Sequence, residues 1–170
     1  DGVDLHQINI HGCHISYNAG GGIVVRGSAV RNLQVSGCDV EYNFSRDDEG
    51  AEAVDVWIDT RGGSVREGAI TGCTIQALPT PGGANIRFVG ESDECRHKVG
   101  LFAISGNLIS SQEVQVHLRH ARGITISGNT FFSGHRRNVL ALESDNIAIA
   151  GNVFDRNPDY PGESCDGIEL

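Results

Sequence analysis

Apolar residues recur along this chain at alternate positions, in short runs broken by glycine. Ile10, Val35, Ile70, Ile104, Ile126 and Ile149 each stand two residues before a glycine: Gly12, Gly37, Gly72, Gly106, Gly128 and Gly151. Three residues after those glycines stand Ile15, Val40, Ile75, Ile109, Phe131 and Phe154. The positions between are mostly small or polar, which is the period-two signature of a strand with one buried face. Each copy therefore reads as a short strand, a corner and a second short strand. Self-similarity at a spacing of roughly 20–35 residues signals a solenoid. The residue after the corner glycine is Cys13, Cys38 and Cys73, then Asn107, Asn129 and Asn152. If successive copies stack about 4.8 Å apart, this column becomes an internal ladder. The Asn amides can bond along it, with Cys as a compact, weakly polar substitute.

A third strand completes each turn of the pattern. The chain opens Asp1-Gly2-Val3-Asp4-Leu5 and closes Asp166-Gly167-Ile168-Glu169-Leu170, nearly the same five residues. Similar apolar runs begin at Gly22, Val54, Asn85, Val116 and Leu140. The expectation is about six coils plus the opening strand of a further one. Leu5, Ile8, Ile10, Cys13 and Ile15 also satisfy a leucine-rich repeat pattern. The rest of each repeat is β-type, however, and Leu is not preferred. A left-handed β-helix would need a tight hexapeptide period, which the irregular spacing denies. Three short strands per coil, corners of Gly and Asn, and variable loops resemble the right-handed, single-stranded parallel β-helix of the pectate-lyase-like (pectin lyase-like) superfamily. The resemblance covers the whole chain and implies an all-β solenoid forming one domain over residues 1–170.

Composition adds limits. A chain of 170 residues suits one domain. It has no Met, and both ends read as strands, so a fragment of a longer solenoid is expected. The formal charge of −9 argues against a general nucleic-acid binder, whose footprint would be basic. No apolar run is long enough to span a membrane. Cys13, Cys38 and Cys73 in the inner column are expected to be buried free thiols. Their spacing along the stack is about 4.8 Å, and nothing pairs Cys95 with Cys165.

Strand one alternates, so its outward residues can be read by stacking. With Val3, Ile23, Val54, Ile86, Val116, Leu140 and Ile168 facing inward, one outward column reads Asp4, Val24, Asp55, Arg87, His117, Ala141, Glu169. A parallel column reads His6, Arg26, Trp57, Val89, Arg119, Glu143. Coil two admits a second register, with Val56 and Ile58 inward and Trp57 in the first column. In either register Asp55, Trp57, Arg87, His117 and Arg119 share one face. A Trp ring can stack on a sugar, and Arg and His reach carboxylates and hydroxyls. In the resembled superfamily this strand and its long flanking loops line a polysaccharide cleft. An ordinary charged, solvated face remains the alternative. His11, His14, His97, His120 and His135 are scattered, and no pattern assigns them a role.

The expected function is binding, and as a further step cleavage, of an extracellular acidic polysaccharide by a secreted or cell-surface protein. Hydrolysis needs two carboxylates about 6.5–9.5 Å or 5–5.5 Å apart. Asp4 and Asp55, two rungs apart at about 9.6 Å, are the candidate pair. Arg87 would hold Asp55 ionised as a base, and His117 would move a proton. Trp57, Arg87, Arg119, Glu143 and Glu169 are the candidate substrate contacts. Asp166-Gly167-Ile168 resembles part of a polygalacturonase-type motif, with Ser164-Cys165 and Glu169 departing from it; the family's later motifs are not found. Elimination would instead use Arg87 or Arg119 as base. Its metal would be Ca²⁺, held by Asp55 with the acidic loop Asp47-Asp48-Glu49; otherwise no cofactor or protein metal site is expected. A non-catalytic scaffold or sugar-recognition module is the remaining reading. Arg136-Arg137 is a further candidate for contact with an anion.

Overall fold

The computed structural model describes residues 2–43, 53–156, 158–159 and 167–170. Among them, eighteen strands form three parallel sheets of six. Sheet A holds β1 (Asp4–His11), β4 (Ala29–Ser36), β7 (Ser64–Thr71), β10 (Val99–Ser105), β13 (Arg122–Ser127) and β16 (Asp145–Ala150). Sheet B holds the three-residue strands β2 (His14–Ser16), β5 (Asp39–Glu41), β8 (Thr74–Gln76), β11 (Leu108–Ser110), β14 (Thr130–Phe132) and β17 (Val153–Asp155). Sheet C holds β3 (Ile23–Arg26), β6 (Val54–Asp59), β9 (Ala84–Val89), β12 (Val114–Arg119), β15 (Arg137–Leu142) and β18 (Ile168–Glu169). Each strand pairs with its counterpart one coil away, which makes the chain a parallel β-helix of about six coils. A 3-10 turn at Asp93–Lys98 interrupts one link from sheet C to sheet A. No helix among the described residues is long and apolar enough to cross a membrane.

The corner between sheets A and B follows from the glycine column. Gly12, Gly37, Gly72, Gly106, Gly128 and Gly151 all have φ between 58° and 64°, a left-handed conformation that costs glycine little. The neighbouring side chains form the expected ladder. The Asn107, Asn129 and Asn152 amides donate to the carbonyls of Ile70, Ile104 and Ile126 one coil back. Their oxygens accept from the backbone N–H of Cys73, Asn107 and Asn129 at 2.9–3.0 Å. The Cys38 and Cys73 thiols donate to the equivalent carbonyls, Ile10 and Val35, at 3.6 and 3.8 Å. Cysteine thus keeps the direction of the ladder with weaker contacts. Cys13 departs from the expectation: it is exposed, because it lies in the first coil with a stacked neighbour on one side only. The Cys13, Cys38, Cys73 and Cys95 thiols are all free.

The core is a stack of aligned apolar columns. Val35, Ile70, Ile104 and Ile126 from sheet A face Val40, Ile75, Ile109 and Phe131 from sheet B, all essentially inaccessible. Sheet C contributes Val56, Ile86, Val116 and Val139, then Ile58, Phe88, Leu118 and Ala141. Burial of each large aliphatic side chain contributes about 1.5–3 kcal/mol before entropy is counted.

The opening residues do not form the sheet C strand expected of them. Asp4 and Leu5 belong to β1 and pair with Ala29 and Val30 in sheet A. His6 and Gln7 lie within this single strand. A left-handed residue inside each sheet A strand or at its start turns the chain without ending the pairing. These residues are Gln7, Asn32, Glu67, Leu101, Gly123 and Asn146, with φ of 53–65°.

Candidate functional site

Sheet C presents the chemistry. Its strands pair so that one outward column reads Val24, Trp57, Arg87, His117, Leu140, Glu169. The next reads Arg26, Asp59, Val89, Arg119, Leu142. The second register for coil two is therefore the one adopted: Val56 and Ile58 point inward and Trp57 stands between Val24 and Arg87.

Trp57 is half-buried between guanidiniums from the strands on either side. The Arg26 guanidinium carbon lies 4.2 Å from the ring centroid and that of Arg87 lies 5.7 Å from it. Cation–π attraction holds all three together. Stacking of another ring on Trp57 would have to displace an arginine. The Trp57 Nε1 atom is buried and has no hydrogen-bond partner. Arg87 is only 6 % exposed, and its Nη2 donates to the Gly82 carbonyl.

His117 follows Arg87 on the next strand. Burial pushes its pKa down to about 4, and the charges of Arg87, Arg119 and Arg136 push the same way. The ring is neutral at physiological pH, and its buried Nε2 has no hydrogen-bond partner. Arg119 is half-exposed and pairs with Glu143 at 3.2 Å. Glu143 lies just past β15 at the corner and also meets His120 Nε2 at 3.3 Å. Glu169 pairs with Arg137 at 2.9 Å. Asp59 is held by Arg61; burial works to raise its pKa, but the Arg61 hydrogen bonds and charge outweigh this and hold it below the usual carboxylate value.

The expected carboxylate pair is not assembled. Asp4 lies in sheet A, because the strand it begins is continuous through the left-handed residue Gln7. Asp55 precedes the first inward residue of its strand, at the bend from sheet B into sheet C, and tucks beneath the corner. It is 1 % exposed. Its Oδ1 accepts from the Asn43 backbone N–H at 3.3 Å and the Asn43 amide at 3.2 Å, and its Oδ2 accepts from the Asn85 amide at 3.1 Å. Burial raises its pKa to about 7, despite these hydrogen bonds. Arg87, expected to keep Asp55 ionised, does not offset the burial that raises its pKa.

Asp55 belongs to a second polar ladder. The same position in later coils is Asn85, Gln115 and Asn138, all buried. Asn85 donates to the Ser110 carbonyl, Gln115 to the Ile109 and Phe132 carbonyls, and Asn138 to the Gln115 side-chain oxygen. These amides satisfy the carbonyls left open where sheet B ends. The sequence signal was present, since a polar amide precedes the inward residue in three of these strands, but it places Asp55 in this column only if coil two takes the register with Val56 inward.

Among the described residues, two groups lie elsewhere whose donor atoms are close enough together to hold a metal ion: His14, Asp39 and Glu41 on sheet B, and Asp93, His120 and Glu143 at the corner after sheet C. The acidic loop Asp47-Asp48-Glu49 and Asp166 lie outside the described residues. No protein-family model, curated protein or solved structure matches this chain.

Proposed function

We propose that the outer face of sheet C binds an acidic saccharide, as a recognition surface rather than a hydrolytic one. The observation that carries this reading is a pair of orphaned polar atoms. Trp57 Nε1 and His117 Nε2 are buried without partners on the strands that flank Arg87. Two strand spacings place their backbones about 10 Å apart. Buried polar groups normally find a partner, so two orphans on one face call for a ligand or ordered water. Arg26, Arg87 and Arg119 project from the same face of a protein whose net charge is −9. Guanidiniums take carboxylate or sulfate groups in forked hydrogen bonds, which favours an anionic glycan over a neutral one. The resemblance to the pectate-lyase-like superfamily supports the same face and an extracellular setting.

Geometry argues for recognition. Asp59 stands four strands from Glu169, about 19 Å, and three strands from Glu143, about 14 Å. Both are beyond the roughly 5–9.5 Å of glycosidase pairs. Each carboxylate also has an arginine partner.

The test is binding of pectin, alginate and neutral glucans to the protein, with reducing ends and unsaturated-uronate absorbance followed in parallel. An acidic polymer should bind, and neither product signal should grow. Trp57→Phe keeps an aromatic ring, though a smaller one, and removes the N–H, so it should weaken binding by at least the roughly two- to tenfold that loss of one hydrogen bond costs. Arg87→Gln should weaken uronate binding more than that. Binding to none of these polymers, or equal binding by both variants, would refute the proposal; product formation would refute its non-hydrolytic part.

A further inference from the structure

On the outer face of sheet B, the histidine and carboxylates of two adjacent coils converge on one point. We propose that His14, Asp39 and Glu41 form a binding site for a divalent transition metal of the Zn²⁺ class. It stands apart from the face of sheet C and does not depend on the reading of that face. Strands β2 and β5 pair in parallel, His14 opposite Asp39 and Ser16 opposite Glu41. Asp39 and Glu41 are two residues apart on one strand and so share a face. A single nitrogen, His14 Nε2, lies 3.1 Å from Glu41 Oε1 and 3.8 Å from Asp39 Oδ2. All three donor atoms fall within 4.8 Å of one another. Ligand bonds of about 2.0–2.2 Å around tetrahedral zinc separate neighbouring donors by about 3.3–3.6 Å. The two observed separations bracket that value, and His14, 62 % exposed, has room to adjust.

The other histidine group shows what a simple ion-paired clamp looks like. His120 uses Nδ1 toward Asp93 at 2.9 Å and Nε2 toward Glu143 at 3.3 Å. The two acids make their shortest contacts to different nitrogens of the ring, although the three residues lie as close together as those of the His14 group. At His14 the ring presents one nitrogen to both acids. Asp39 Oδ1 has no hydrogen-bond partner, while the side chain as a whole is 46 % exposed and turns Oδ2 toward His14. One imidazole nitrogen with two carboxylate oxygens suits Zn²⁺, Co²⁺ or Mn²⁺ better than Ca²⁺ or Mg²⁺, which prefer oxygen alone. Three protein ligands leave a fourth position for water or an exogenous group. The ion would also tie coil one to coil two across the face of sheet B.

The test is titration of the whole chain with Zn²⁺ by calorimetry, and with Co²⁺ by absorption. One ion should bind per chain and raise the unfolding temperature, because the folded state alone holds the three donors together. The Co²⁺ complex should show d–d bands without a thiolate charge-transfer band. His14→Ala and Asp39→Asn should weaken binding by at least the roughly 10–100-fold that loss of a supporting group costs at metal sites. His120→Ala and Cys13→Ser should bind like the parent. Absence of saturable Zn²⁺ binding, parent-like affinity in His14→Ala, or a thiolate band that Cys13→Ser removes would each overturn the proposal.

Discussion

Asp55 is the residue at which chemistry and environment conflict most. A carboxylate buried to 1 % exposure is stable only while its hydrogen bonds offset the loss of water, and here they do so incompletely. Its folded pKa, about 7, is raised above the ordinary value near 4 that it has in the unfolded chain. The folded state therefore holds its proton more tightly. The stability this residue contributes is full below about pH 4 and is lost as pH rises through 7. Asp55→Asn should remove that loss. Its unfolding midpoint should exceed the parent's at pH 8, by on the order of 4 kcal/mol in stability at most. At pH 4 it should match or fall slightly below the parent, since one donor facing Oδ2 loses its acceptor. Parallel pH profiles for the two proteins would contradict the burial argument. The same residue shows where sequence reading loses phase. Val54, Val56 and Ile58 are all apolar and all buried. Alternation puts Asp55 and Trp57 on the same face and could not say which of them stands in the column of Arg87; the structure gives that place to Trp57 and buries Asp55.

At the scale of the element, the corner ladder and the columns behind it were legible because their residues repeat. Glycine, then Cys or Asn, stands at a fixed offset in six copies, and the structure gives each glycine the same left-handed turn. Asn129 is held from both directions: it donates to the Ile104 carbonyl and to Asn152 Oδ1, and accepts from Asn107. Asn129→Leu should cost about 1–3 kcal/mol, measured by denaturant unfolding, because these buried partners are left unsatisfied. An unchanged midpoint would mean that the ladder carries no load. Gly68 has a different reason. A Cβ there would meet the Phe102 ring and the Leu33 carbonyl, so the gap in the column is what Phe102 fills. Gly68→Ala should destabilise by about 1–3 kcal/mol through overpacking. The left-handed turn within sheet A was not legible. Its six occupants, Gln7, Asn32, Glu67, Leu101, Gly123 and Asn146, share a conformation and no residue type. That is why Asp4 was placed on the wrong sheet.

Over the whole molecule, stacking turns residues far apart in sequence into neighbours, and functional readings depend on register. Trp57, Arg87 and His117 are spaced by thirty residues each, yet stand on consecutive strands. Arg87, His117, Arg119 and Glu169 could be placed on sheet C from alternation. The occupation of Trp57 by two arginines and the convergence of His14 with Asp39 and Glu41 could not, because both depend on side-chain direction across coils. Binding to a patch of arginines on an acidic protein should weaken steeply with salt, since exposed charges are screened beyond about 8 Å at physiological ionic strength. A salt-independent affinity would point to contacts other than these guanidiniums. The most direct measurement is an NMR titration of the His117 imidazole, with and without oligomers of uronic acid, galacturonate and alginate in parallel. In the free protein the ring should stay neutral down to about pH 4, held there by burial and by Arg87, Arg119 and Arg136. A bound carboxylate would offset those charges and engage Nε2, so the pKa should rise with the acidic oligomer and stay unchanged with a neutral glucan. A His117 signal and pKa that respond to neither acidic oligomer at saturating concentration would contradict the assignment of this face to acidic saccharides.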